Sequence, residues 1–143
     1  MGTTGVEGSY RIPSFEKAQV SDAMHPGVVS CIRETPLRTV AQIMAERHIH
    51  SVVVSDLGAG DSGWGVVTDA DVLAAADGDM DLITAGEAAG TELPTVGPEE
   101  SLSRAAQVMK EHGVSHLIVT EAGRAVGVLS SLDVVGILAW GRA

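Results

Sequence analysis

A pattern in the first half of the chain returns in the second half. Leu37-Arg-Thr-Val-Ala-Gln-Ile-Met44 followed by Ile49-His-Ser-Val-Val-Val54 is matched by Leu102-Ser-Arg-Ala-Ala-Gln-Val-Met109 and Val114-Ser-His-Leu-Ile-Val119, at an offset of 65 residues (Leu37 to Leu102). Each copy closes on a glycine-led apolar stretch and a hydroxyl-x-x-Asp quartet: Gly65-Val-Val-Thr68-Asp-Ala-Asp71, then Gly127-Val-Leu-Ser130-Ser-Leu-Asp133. Repeats near this period are single supersecondary units that bury their apolar faces only by packing on a neighbour. Two copies in 143 residues therefore predict two half-domains, which need neither disulfides nor a structural metal at this length.

Aromatic residues make up 3% of the chain, so the core has to be aliphatic. The formal charge of −10 opposes phosphate backbones and anionic lipid, whose binding rests on clustered Lys and Arg, so neither direct nucleic-acid nor membrane binding is expected. No apolar run reaches the length of a membrane span, and the opening Met1-Gly-Thr-Thr-Gly-Val6 lacks the basic and apolar regions of a signal peptide. A cytoplasmic protein is the expectation. Cys31 is the single cysteine, which leaves no intrachain disulfide to form.

Residues 1–17 read as a mobile arm, 18–76 as the first copy, 77–83 as an acidic linker and 84–141 as the second copy. A short helical turn is expected at Val20–Met24, then the breaker His25-Pro26-Gly27 and a strand over 28–32. Thr35-Pro36 predicts an N-cap with proline in the first helical position. Leu37, Val40, Ala41 and Met44 follow at helical spacing, and Leu102, Ala105, Ala106 and Met109 repeat the stripe before a stop at Gly113. Each long helix leads to a Val/Ile-rich strand, a turn, a second strand and another helix. Leu82–Ala89 should form a turn matching Val20–Met24. The last helix, Leu132–Trp140, has almost no polar face, which predicts cover on more than one side and, beyond that, a homodimer interface.

The quartets admit two readings. A hydroxyl followed three residues later by an acid is a helix-capping box, and that alone accounts for either copy. Alternatively, the carboxylate accepts two ribose hydroxyls while the hydroxyl and the helix amides face phosphate.

The lead-in, strand, Met-ended helix, Val-rich strand and closing Gly-x-x-(Thr/Ser)-x-x-Asp, duplicated in order, resemble a tandem pair of cystathionine-beta-synthase-type (CBS) domains over about residues 18–141. The resemblance implies an α+β, sandwich-like fold: two βαββα motifs packed with pseudo-two-fold symmetry into a Bateman module that commonly dimerises. It implies a stand-alone regulatory module, not an enzyme, that senses AMP, ADP, ATP or S-adenosylmethionine in clefts between the motifs and modulates an unidentified partner protein. Carried over by position, Asp71 and Asp133 become the ribose acids, with Thr68 and Ser130 beside ribose or phosphate. Asp71 would work with Pro94, Val114 and His116, and Asp133 with Met24, Val29, Ile49 and Ser51. His50 takes the place of a phosphate-contacting histidine. The basic residue that many members carry between hydroxyl and acid is missing, and Asp69 opposes a polyanion; Arg33, Arg38 and Arg124 are the cations best placed to compensate.

Other chemistry receives less support from the sequence. His25, His48, His50, His112 and His116 have no recognisable metal-ligand spacing, and solvated or locally hydrogen-bonded histidines are the expectation. No cofactor is called for. Cys31 in an apolar strand reads as a small buried hydrophobe. Gly58-Ala-Gly-Asp-Ser-Gly63 joins two strands instead of opening a helix and reads as a hairpin loop. The competing function is a ligand-independent docking or dimerisation module whose quartets serve only as caps.

Overall fold

The computed structural model describes residues 12–55, 63–90 and 93–142. Residues 1–11, and residues 56–62 within the expected hairpin loop, lie outside them. The elements run α1 (Val20–Ala23), β1 (His25–Pro26), β2 (Ser30–Ile32), α2 (Leu37–Arg47), β3 (Ser51–Ser55), β4 (Trp64–Thr68), α3 (Asp69–Ala74), α4 (Ala85–Ala88), β5 (Thr95–Val96), α5 (Leu102–His112), β6 (His116–Glu121), β7 (Arg124–Ser130) and α6 (Ser131–Trp140). The fold is mixed α+β. No described helix is long and apolar enough to cross a membrane.

The chain separates into two compact units, 28–93 and 1–27 with 94–143. The contiguous unit holds a three-stranded sheet in the order β2-β3-β4, with β2 parallel and β4 antiparallel to β3. The other holds a four-stranded sheet, β1-β7-β6-β5, in which β5 runs parallel to β6 and the remaining pairs are antiparallel. Val52, Val53 and Val54 in β3 are all buried, as are Leu117, Ile118 and Val119 in β6. Both faces of these strands are covered, which is why they read as unbroken apolar runs instead of alternating ones.

The helices carry the spacing expected of them. Leu37, Val40 and Met44 of α2 are buried, as are Leu102, Ala105, Val108 and Met109 of α5. Each long helix packs this stripe into its own aliphatic core, with Val52, Val54 and Val67 in one unit and with Leu117, Val119 and Leu129 in the other. Both stop in the left-handed conformation, α5 at Gly113 (φ 62°) and α2 at His48 (φ 54°). Glycine adopts that conformation at no steric cost; histidine does not.

The lead-in segments are exchanged between the copies. Leu102 N–H donates to the Ala18 carbonyl (2.9 Å) and Val20 N–H to the Glu100 carbonyl (2.9 Å). The same bonds recur as Leu37 N–H to the Ile83 carbonyl (2.8 Å) and Ala85 N–H to the Thr35 carbonyl (2.7 Å). Gln19 bridges Ser101 just as Thr84 bridges Pro36. Thus α1, written at the head of the first copy, packs with the second, and α4, at the head of the second, packs with the first.

This exchange corrects one expectation. Thr35 is not the N-cap of α2; Pro36 holds that position and contributes no side-chain bond. The amides of Leu37 and Arg38 instead reach the carbonyls of Ile83 and Met80, so the exchanged segment satisfies donors that a cap would otherwise serve. In the second copy Ser101 does cap α5, its hydroxyl accepting from Arg104 N–H (3.1 Å).

Candidate functional site

The two hydroxyl-x-x-Asp quartets stand where the last strand of each copy turns into its final helix. Thr68 and Ser130 leave β4 and β7 in extended geometry and become the N-caps of α3 and α6. In both, the hydroxyl accepts from the acid's own amide while the acid reaches back: Thr68 N–H to Asp71 Oδ2 (2.8 Å) and Ser130 N–H to Asp133 Oδ2 (2.8 Å). Thr68 O–H also donates to Asp71 Oδ2 (3.1 Å). The same box recurs at Gln19–Asp22 and Thr84–Glu87 on the exchanged helices, so capping is a general device in this chain.

The second copy adds a partner beyond the cap. His25 Nε2–H donates to Asp133 Oδ1 at 3.0 Å, joining β1 to the first turn of α6. The His25 side chain is 76% exposed and that of Asp133 only 14%, so the imidazole lies on the solvent side of a largely covered carboxylate. The register explains the meeting. His25 pairs with Val128 and His116 with Ser130, and paired residues share a face, as do residues two apart in β7. His25, Val128, Ser130 and His116 therefore project from one side of the sheet. Gly127 lets β1 come this close: a Cβ there would lie 2.7 Å from the His25 carbonyl and 3.1 Å from Met24 Sδ.

In the first copy the corresponding strand ends bring Ser51 opposite Thr68. Asp69 N–H donates to the His50 carbonyl (3.0 Å), and His50 Nδ1–H donates to Asp69 Oδ2 (2.9 Å) with both side chains exposed. The second copy keeps the backbone bond, Ser131 N–H to the Ser115 carbonyl (2.8 Å), but has serines in place of the histidine and aspartate. The histidine expected to meet phosphate is thus joined to a carboxylate in its own unit.

The remaining site residues divide between the units. Met24, Pro94, Val114 and His116 accompany Asp133; Val29, Ile49 and Ser51 accompany Asp71. Pro94 accepts from Ile118 N–H (3.4 Å) and Val29 from Val53 N–H (2.9 Å), while the Val114 and Ile49 amides close the ends of α5 and α2 on Met109 and Met44. Arg33 pairs with Glu34 and Arg38 with Asp81, which raises the Arg38 pKa through the hydrogen bond and the nearby charge. Two of the three candidate cations, Arg33 and Arg38, thus have carboxylate partners.

Two further histidines bond locally. His112 Nδ1–H donates to the Val108 carbonyl (3.0 Å) and His116 shares a hydrogen bond with Ser115 Oγ (3.0 Å). Among the described residues no group of three or more His, Cys, Asp or Glu side chains is gathered to hold a metal ion. Cys31 is half-buried in β2; burial pushes its thiol pKa up, and a hydrogen bond with Thr35 opposes the shift only in part.

Comparison with known proteins bears on this arrangement. The chain is 31% identical over 116 residues to hypoxic response protein 1 of Mycobacterium tuberculosis, covering 79% of this chain and 80% of that one. A crystal structure of hypoxic response protein I with two coordinated zinc ions superposes with a TM-score of 0.69 at 29% identity, covering 83% of this chain and 98% of that chain. A CBS domain protein from Pyrobaculum aerophilum complexed with AMP gives a TM-score of 0.71 at 26% identity, over 85% and 98% of the two chains. The sequence model of the CBS domain matches residues 20–78 and again 85–139. With both copies matched by the family model, the chain belongs to the CBS domain family as a tandem pair.

Proposed function

We propose that this chain is a regulatory module that binds an adenosine-containing ligand through Asp71 and Asp133 and alters its affinity for a partner protein in response. The observation that carries the reading is how the caps use the acids. Asp133 spends Oδ2 on the Ser130 amide, and among the described residues Oδ1 meets only an exposed imidazole. A carboxylate held by its own helix keeps lone pairs for a vicinal diol, with the amides of α6 beside it for phosphate. The AMP complex of the Pyrobaculum aerophilum protein supports adenosine as the ligand class. Thr68, Ser130, Met24, Ser51 and His116 would line these sites; Val29, Ile49, Pro94 and Val114 would supply apolar contacts for the base. Asp69 beside the first-copy site favours fewer phosphates, so AMP should bind more tightly than ATP.

Regulation requires a ligand to bind two states of the protein unequally. Calorimetry with AMP, ADP, ATP and S-adenosylmethionine tests the reading, with Asp71→Ala and Asp133→Ala alongside. Expected are binding of at least one ligand and a loss of about tenfold or more with either substitution. Failure of all four to bind would end this reading.

The exposed face of α6 favours a second role that accompanies the first. Val134 and Ile137 are buried, whereas Leu132 (75%), Val135 (52%), Leu138 (58%) and Trp140 (69%) are exposed along the helix. We propose that this stripe forms a homodimer interface. Light scattering should give twice the chain mass, falling to that of a monomer for Leu138→Glu; a wild-type monomer at micromolar concentration would refute it.

A further inference from the structure

We propose that His25 is a gate on the Asp133 site: its imidazole occupies the carboxylate oxygen that a ligand's vicinal hydroxyls require, so that ligand and His25 compete for Asp133. This rests on the reading of Asp133 as a diol-binding acid and adds a residue that sets the affinity of one site. Among the described residues the Asp133 carboxylate has two partners, the Ser130 amide on Oδ2 and His25 on Oδ1. The amide belongs to the helix cap and cannot leave without opening the first turn of α6. His25 can leave. It lies on a two-residue strand with three-quarters of its side chain in solvent, so the ring can turn away without opening a helix.

Asp133 is largely covered and its Oδ1 is bonded to His25, so a diol that takes Oδ1 has to displace the ring. An exposed histidine–carboxylate pair is weak, so the gate lowers affinity modestly without closing the site. Gly127 holds the gate in register, because any side chain there would push away the His25 backbone.

The test is calorimetric titration of the full chain with AMP, using wild type, His25→Ala, Asp133→Ala and the double variant. A gate predicts that His25→Ala binds AMP about two- to fivefold more tightly, the scale of one weak hydrogen bond. It predicts also that the gain disappears in the Asp133→Ala background. Unchanged thermal unfolding of His25→Ala would exclude a change in fold as the cause. If His25→Ala leaves the affinity unchanged or weakens it, the imidazole is a bystander or a ligand contact and the gate is overturned. If neither wild type nor His25→Ala binds AMP, the diol-site reading falls and takes the gate with it. Binding by His25→Ala alone would support both.

Discussion

The Ala18 carbonyl accepts the Leu102 amide, tying the lead-in of the first copy to the opening turn of the second copy's long helix. Val20, fully buried, follows in the same core as Leu102, Ala105 and Leu129. The lead-in is therefore structural material for the second copy, and its removal should be felt there.

A chain lacking residues 1–27 should lose amide-exchange protection in α5 and β6 while keeping it in α2 and β3. Burial of Val20 alone is worth about 1.5–3 kcal/mol, before β1 and its bonds to β7 are counted. Unchanged protection of α5 would contradict the exchange.

His48 stands where the second copy has Gly113, and both are left-handed. A non-glycine residue there costs about 1–2 kcal/mol, of which glycine returns part through its freer unfolded chain. His48→Gly should stabilise the protein by about 0.5–1 kcal/mol in denaturant unfolding, and Gly113→Ala should destabilise it by a similar amount. Opposite signs would show that the left-handed stops are not what limits these helix ends.

Gly127→Ala should destabilise by about 1–3 kcal/mol, the usual cost of overpacking, because its Cβ meets the His25 backbone, which has to shift. The His25 imidazole resonances should shift in the same variant as β1 leaves its register. A neutral effect on both would mean that β1 is held by other contacts.

The raised thiol pKa of Cys31 makes stability depend on alkaline pH. The folded state holds the proton more firmly than the unfolded state, so this contribution is fully present below the usual thiol range and is lost as pH rises through the raised folded value. Urea midpoints of wild type should fall faster above pH 9.0 than those of Cys31→Ala. Alkylation of Cys31 should be slower in the folded chain than in urea at equal pH. Parallel midpoints for the two proteins would remove the thiol as the cause.

Much of this fold was legible because periodicity writes burial into residue type: the stripes of α2 and α5 and the apolar runs of β3 and β6 appear at the expected positions. The quartets were equally legible, and their capping geometry follows from residue identity alone. The exchange of lead-ins was not, since Ala18–Leu102 and Ile83–Leu37 are backbone bonds with no side-chain signature. Thr35 is not a cap for the same reason: backbone carbonyls take its helix's first donors. The meeting of His25 with Asp133 depends on pairing β1 with β7. The sole trace of that pairing in the sequence was Gly127, which led the strand and gave no sign of which neighbour required it.

The unit formed by residues 28–93 is continuous in sequence, whereas the other joins 1–27 to 94–143. During synthesis the continuous unit has all its parts once Leu93 is made. Ala18 and Val20 emerge before that unit and must wait, exposed, until the helices and strands of 94–142 have followed it. Closing this long loop is the slow step that topology imposes, so a segment made before the continuous unit should find its place after it.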